Sequence, residues 1–213
     1  MFNPQEVLQK TEAFVCSTMA QNDAAHDEDH VRRVVALAQK IGSAYPDADA
    51  FRIELLAWLH DMNDDKLASN VGEGSVAEFL RDCALPEEEI CFIIEALPLI
   101  SYRKHPSLSL DVPLEIRIVQ DADRIDAMGA VGIARTFAYG GAKNRPLADS
   151  LKHFDEKLLL LYDLLNTEEA KRIALPRHQF LQAFYTQYKE EIKCCSNKTL
   201  FGTNSCALMK GLC

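Results

Sequence analysis

Three stretches of this chain carry residue types that can do chemistry together. "AHDEDHVRRVVALAQ" (25–39) supplies His30, "LLAWLHDMNDDK" (55–66) supplies the adjacent pair His60–Asp61, and "IRIVQDADRIDAMGA" (116–130) supplies Asp121, Asp123 and Asp126. His30 stands four residues before Val34, one turn up an apolar face, so it points inward. His26 falls at or before the helix start and reads as a cap-region neighbour rather than a ligand. Successive residues on a helix lie about 100° apart, so His60 and Asp61 cannot bond one another squarely but can bracket one ion. The acids of the third stretch sit among apolar neighbours, and a buried carboxylate is costly without a partner. A metal is the economical partner. Imidazoles and carboxylates suit Mn²⁺, Fe²⁺, Co²⁺, Ni²⁺ or Zn²⁺ better than a thiolate-loving ion. An ion with four protein ligands keeps positions for water and substrate, and lowering the pKa of that water makes a nucleophile. Spacing leaves the fourth ligand open, because Asp121 and Asp123 are about 200° apart on a helix and cannot both face it.

The elements that must position these groups are helical. Apolar stripes recur at helical spacing in Val7, Leu8, Phe14, Val15 and Met19, and in Val31, Val34, Val35, Ala38 and Ile41. They continue in Phe51, Leu55, Leu56 and Leu59, in Ile90, Ile93, Ile94 and Leu97, and in Leu114, Ile118, Val119 and Ala122. No pair of alternating strands competes with them, so the expected fold class is all-α, a helical bundle. Gly140–Gly141 read as a helix stop, and Asn166 with Glu169 as the N-cap of a final helix running toward Ile192. Residues 1–192 are expected to form one domain, with 193–213 a polar, Cys-rich and loosely attached tail.

Composition narrows the function. Apolar (48%) and charged (26%) contents are those of a globular protein, which sets disorder aside. A net charge of −9 argues against duplex nucleic acid as a partner, yet a local cation can still draw a small anion into a cleft. No apolar run reaches the ~20 residues of a membrane span, and the N-terminus lacks signal-peptide character, so no membrane and a cytoplasmic location are expected. The seven cysteines form no CxxC pair and fit reduced thiols.

His30, His60–Asp61 and the Asp of "DADRID" resemble the H…HD…D signature of the HD-domain metal-dependent phosphohydrolase superfamily. The stretches "HDEDHVRRVVALAQKI", "LLAWLHDMNDDK", "IVQDADRIDAMGAVGIARTFAYGG" and "HFDEKLLLLYDLLNTEEAKRIA" look like its small bacterial YedJ/YpgQ-like subgroup. This resemblance implies an HD-domain helical bundle with His30, His60, Asp61 and Asp123 as metal ligands. The fourth falls on Asp123 because related proteins use the Asp of an "xADRL" context. It implies a (d)NTP substrate cut to (d)NMP and pyrophosphate, with Mn²⁺ the expected ion and Mg²⁺, Co²⁺, Ni²⁺, Fe²⁺ or Zn²⁺ compatible. "HDMNDD" is also similar to an HDxxED arrangement in which Asp64 takes the place of Glu as acceptor of the water's proton. Asp61, Asp64 and Lys66 are then the catalytic set, and Lys66, Arg124, Lys143 and Arg145 the cations that hold phosphate. Rival readings are a phosphomonoesterase or phosphodiesterase on the same site, an HD-type di-iron oxygenase, and a nucleotide sensor without turnover.

Overall fold

The helix that leads into His60–Asp61 ends in five consecutive apolar residues, Leu55 to Leu59, which cover every side of it, and such a helix end has to lie inside a bundle. A computed structural model describes residues 2–19, 28–62, 73–100 and 111–196 of the chain. In it, helix α3 (Ala50–Leu59) buries Ile53 and the unbroken run from Leu55 to Leu59. Its start is set by Asp49, whose side chain accepts from the N–H groups of Phe51 (2.9 Å) and Arg52 (3.2 Å). Around it pack α1 (Pro4–Met19), α2 (Glu28–Gly42), α5 (Glu87–Ile100) and α6 (Leu114–Asp126). Helix α4 (Glu73–Asp82) lies against α5. Helices α7 (Gly129–Ala142), α8 (Leu147–Glu156) and α9 (Glu168–Ser196) close the other side, with 3-10 turns at Leu158–Leu160 and Tyr162–Leu164 between the last two. Every regular element among the described residues is helical, as the stripe periodicity requires.

Helix α2 follows its apolar spacing closely, burying Val31, Val34, Val35, Leu37, Ala38 and Ile41, while Glu28 and Asp29 occupy its first turn where the helix dipole favours acids. Helix α6 is different: it buries Gln120, Asp121, Arg124 and Asp126 among its apolar residues. Each buried polar group must find a partner, and these find them on two sides of the helix. Asp121 accepts from the N–H groups of Asn166 and Thr167 (2.8 Å each), from the Thr167 hydroxyl (2.7 Å) and from the Asn166 amide (2.9 Å). Burial lifts the Asp121 pKa and these donors work against that lift. The N-cap of α9 is therefore Thr167, whose hydroxyl lies 3.3 Å from the Ala170 N–H, and not Asn166 as expected. Asn166 instead spends its side chain on Asp121 and Gln120.

Two glycines set how closely the outer helices approach. A Cβ on Gly132 would stand 2.1 Å from the Ala127 carbonyl oxygen, so only glycine lets α7 fold back tightly on the end of α6. Gly140–Gly141 do not stop α7, which runs on to Ala142; Gly140 faces Ser150, whose Oγ would lie 2.2 Å from an added Cβ. Helix α9 likewise continues to Ser196, past the expected end at Ile192, and residues 197–213 of the expected tail lie outside the described residues. No helix among the described residues is long and apolar enough to cross a membrane, and Cys16, Cys83 and Cys91 form no disulfide.

Candidate metal centre

Helices α2, α3 and α6 pack on one another, and each brings part of the chemistry to their junction. His30 comes from the first turn of α2 and is almost fully buried. His60 occupies the C-cap position of α3, where the chain leaves the core, with Asp61 in the turn beyond it. The two Nε2 atoms lie 3.4 Å apart. Asp61 reaches both, at 3.4 Å from His30 Nε2 and 3.5 Å from His60 Nε2. Ligand atoms of His30, His60 and Asp61 all fall within 4.8 Å of one another. From α6, Asp123 Oδ1 approaches the same His30 Nε2 at 3.5 Å, whereas Asp121 is on the far side of that helix and engaged with α9.

The opposite nitrogen of each ring is already committed. His60 Nδ1 donates to the Ala57 carbonyl at 2.8 Å, one turn back on α3. His30 Nδ1 donates to Asp126 Oδ2 at 2.7 Å. With both Nδ1 atoms used as donors, each ring in its neutral form would turn an acceptor lone pair at Nε2 toward one shared point lined by carboxylates. Such a point calls for a cation, and the donor set fits a divalent one. Asp126 is itself held by two guanidiniums. Arg33, one turn beyond His30, donates to Oδ1 at 2.7 Å and Oδ2 at 3.2 Å. Arg135 on α7 donates to Oδ2 at 2.8 Å, which leaves it 3.0 Å from His30 Nδ1 because both share one acceptor. Burial alone would raise the Asp126 pKa, but hydrogen bonds and charge from His30 and Arg33 hold it far below the usual carboxylate range.

The HD domain family matches residues 28–128, the span from the start of α2 to just past the end of α6 that carries His30, His60, Asp61, Asp123 and Asp126. The curated protein YpgQ of Bacillus subtilis is 37% identical over 186 residues, covering 84% of this chain and 90% of YpgQ. The chain belongs to the HD-domain superfamily. Solved HD-type structures agree with the fold: B. subtilis YpgQ in complex with ADP superposes with a TM-score of 0.76 at 32% identity, covering 88% of this chain and 96% of that one. An HD-superfamily hydrolase of Bacillus thuringiensis gives 0.73 at 37% identity, over 90% of this chain and 99% of the other.

In this HD protein the charge of the cluster has a measurable consequence. Burial pulls the His30 pKa down, but hydrogen bonds to Asp126 and Asp61, with the charges of Asp61 and Asp123, outweigh it and raise the pKa from 6.5 to about 9. A proton thus sits where a cation would. Because the folded value exceeds the unfolded one, His30 contributes its full stabilisation to the metal-free protein below pH 6.5 and loses it as pH rises through about 9. A divalent ion must displace that proton. Apparent Mn²⁺ affinity should therefore rise about tenfold per pH unit from about pH 7 to 8.5 and level off above the His30 pKa. Calorimetry in buffers of different ionisation enthalpy should show one proton released per ion; a flat affinity across that window would contradict it.

The HD fold brings together His30, His60, Asp61 and Asp123 and separates other expected participants from them. Arg124 is 2% exposed, donates to the Leu164 carbonyl and lies 3.8 Å from Asp121 Oδ1. It ties α6 to the turn before α9, so the phosphate contact expected of Arg124 gives way to a structural one. Lys143 and Arg145 are exposed and gather over the Tyr139 ring, at 5.7 and 5.1 Å from its centroid. Lys143 stands about 12 Å along α7 from Arg135 at ~1.5 Å per residue. Asp64 and Lys66 lie outside the described residues, as does His26. Asp126, Arg33 and Arg135 are the groups that sequence reading left without a role. The available signal was Asp126 standing three residues after Asp123, on the same face of a buried helix.

Proposed function

We propose that this HD protein is a divalent-metal-dependent nucleotide pyrophosphohydrolase that cleaves (d)NTP to (d)NMP and pyrophosphate. The observation that carries the reading is the pair of Nε2 atoms 3.4 Å apart, each ring anchored through Nδ1, facing Asp61 and Asp123. In it His30, His60, Asp61 and Asp123 hold the ion, with Mn²⁺ the proposed one. A bound divalent ion supplies charge to a phosphoryl oxygen and lowers the pKa of water. The chain's own residues do the rest. Asp126 keeps the His30 ring in one tautomer and orientation through the Nδ1 hydrogen bond. Asp64 accepts the proton of the attacking water, and Lys66 offsets phosphate charge. That YpgQ was solved with ADP supports a nucleotide as the substrate class.

The test is an assay of metal-stripped protein resupplied with Mn²⁺ and given a panel of NTPs and dNTPs, with pyrophosphate and inorganic phosphate quantified separately. Equal amounts of pyrophosphate and monophosphate are expected. Inorganic phosphate without pyrophosphate would replace this reading with a phosphatase. No turnover with any divalent ion would replace it with a sensor or oxygenase, the latter checked by iron content.

A further inference from the structure

Two acids of the centre stand at a weak place in the fold. Asp123 and Asp126 both lie in the last turn of α6, which ends at Asp126. The final carbonyls of a helix lack partners within it, and such turns are the first to open. Here the Asp123 carbonyl accepts from the Ala127 N–H at 3.3 Å, and the Ile125 carbonyl from the Met128 N–H at 3.0 Å. Both donors belong to the bend that follows, so they move with it. Yet Asp126 Oδ2 has to meet His30 Nδ1 at 2.7 Å, and Asp123 Oδ1 approaches His30 Nε2 at 3.5 Å. Holding those two distances requires an anchor outside α6.

Helix α9 supplies one. Arg177, half-buried on that helix, donates from Nη1 to the Ile125 carbonyl at 3.0 Å, so this oxygen takes a cationic donor besides the Met128 N–H. A cation at a helix C-terminus is favoured by the dipole, and a charge-assisted bond is stronger than a neutral one. The stem of the same side chain backs the bend between α6 and α7. Gly129 opens α7 at φ +69°, a conformation that glycine adopts at no steric cost. A Cβ added there would stand 3.1 Å from Arg177 Cβ and 3.2 Å from its Cγ. Gly132 in turn brings α7 against the Ala127 carbonyl. Donor, stem and tight joint therefore all act on residues 125–129, the stretch that contains Asp126 and follows Asp123. Arg177 itself lies beyond the 28–128 span that matches the HD domain.

We propose that Arg177 is a positioning residue for the ion site: from α9 it caps the last turn of α6 and so holds Asp123 and Asp126 where His30 meets them. It touches neither ion nor substrate in this arrangement. The role rests on reading the junction of α2, α3 and α6 as a metal centre. An acid already held in place costs the ion less to organise. Ion binding and the seating of α9 on the end of α6 then favour one another, each by the same factor.

The test uses the full-length protein and Co²⁺, whose visible absorption reports the arrangement of its ligands, so it does not depend on turnover. Arg177→Met keeps an unbranched stem beside Gly129 and removes only the donor; Arg177→Lys keeps a cationic donor. Co²⁺ affinity is expected to fall about tenfold in Arg177→Met, with an altered absorption spectrum at saturation, and to stay within about threefold of wild type in Arg177→Lys. A lower Tm with wild-type Co²⁺ affinity and spectrum would make Arg177 a tie between helices and overturn the proposal. Equal losses in the two variants would show that donation to Ile125 is not the cause, and would overturn it too. Amide exchange in the wild-type protein gives a second reading should Arg177→Met fail to fold. Saturating Co²⁺ is expected to slow exchange at Ala127 and Met128 and in α9 around Arg177; slowing confined to α2 and α3 would contradict the coupling. A wild-type protein that binds Co²⁺ as described but hydrolyses no nucleotide would refute the proposed function and leave the role of Arg177 standing. One that binds no divalent ion would remove both.

Discussion

His60→Ala is expected to abolish both metal retention and turnover. The imidazole supplies one of the converging Nε2 atoms, and its ring is held by the Ala57 carbonyl rather than by anything that could substitute for it. Alanine leaves Asp61 and His30 facing a gap, with three protein ligands at most where four converge. Metal content after dialysis should fall from near one ion per chain to background. Pyrophosphate release should fall by about a thousandfold or more, equivalent to ~4 kcal/mol of transition-state stabilisation. His60 is buried, so truncation also leaves a void, and Asp61→Asn serves as a companion with unchanged volume. Asp61 is 19% exposed at the mouth of the site, and its amide should fold normally while losing the same two properties. Wild-type turnover by metal-free His60→Ala protein would remove the basis of the proposed function.

Asp126→Asn is expected to have the second-largest effect, by a different route. The residue is fully buried and touches neither ion nor substrate in the proposed arrangement; it acts through His30. An amide keeps the volume but presents a weaker acceptor to His30 Nδ1 and removes the charge that offsets Arg33 and Arg135. Weakening the partner of a ligating imidazole costs about 10- to 100-fold in metal affinity. Removing one member of a buried ion-pair network costs about 3–5 kcal/mol, and the partial hydration of both arginines places this case near the lower end. Thermal unfolding of the metal-free variant should therefore occur about 5–10 °C lower. The two measurements separate the roles. A lower Tm with unaltered Mn²⁺ affinity would show that Asp126 holds the helices together without orienting His30.

The order of effects follows from distance to the ion. His60 is a ligand in the proposed site, Asp126 is one bond removed through an imidazole, and Arg33 and Arg135 are one further bond away through Asp126. Metal affinity should be lost in that order.

Sequence alone determined the parts of this protein governed by local register. Apolar spacing specified α1, α2, α3, α5 and α6 and the inward side of each, since a period of about 3.6 residues assigns every residue to a face before any neighbour is known. His30, one turn before Val34, and His60–Asp61, at the end of an apolar run, were legible for that reason. The choice of Asp123 over Asp121 needed the family pattern as well, because spacing showed only that the two face opposite ways. Tertiary structure decided everything that depends on pairs distant in the chain. His30 and Asp126 are 96 residues apart, and Arg135 reaches His30 across 105; no local pattern encodes which arginine will meet which acid. Arg124, adjacent to Asp123 in sequence, turned inward because the Leu164 carbonyl and Asp121 lie there. The α9 cap moved from Asn166 to Thr167 because Asp121 had already engaged Asn166. Periodicity sets the face a residue presents; only the packing of α2, α6 and α7 sets what that face meets.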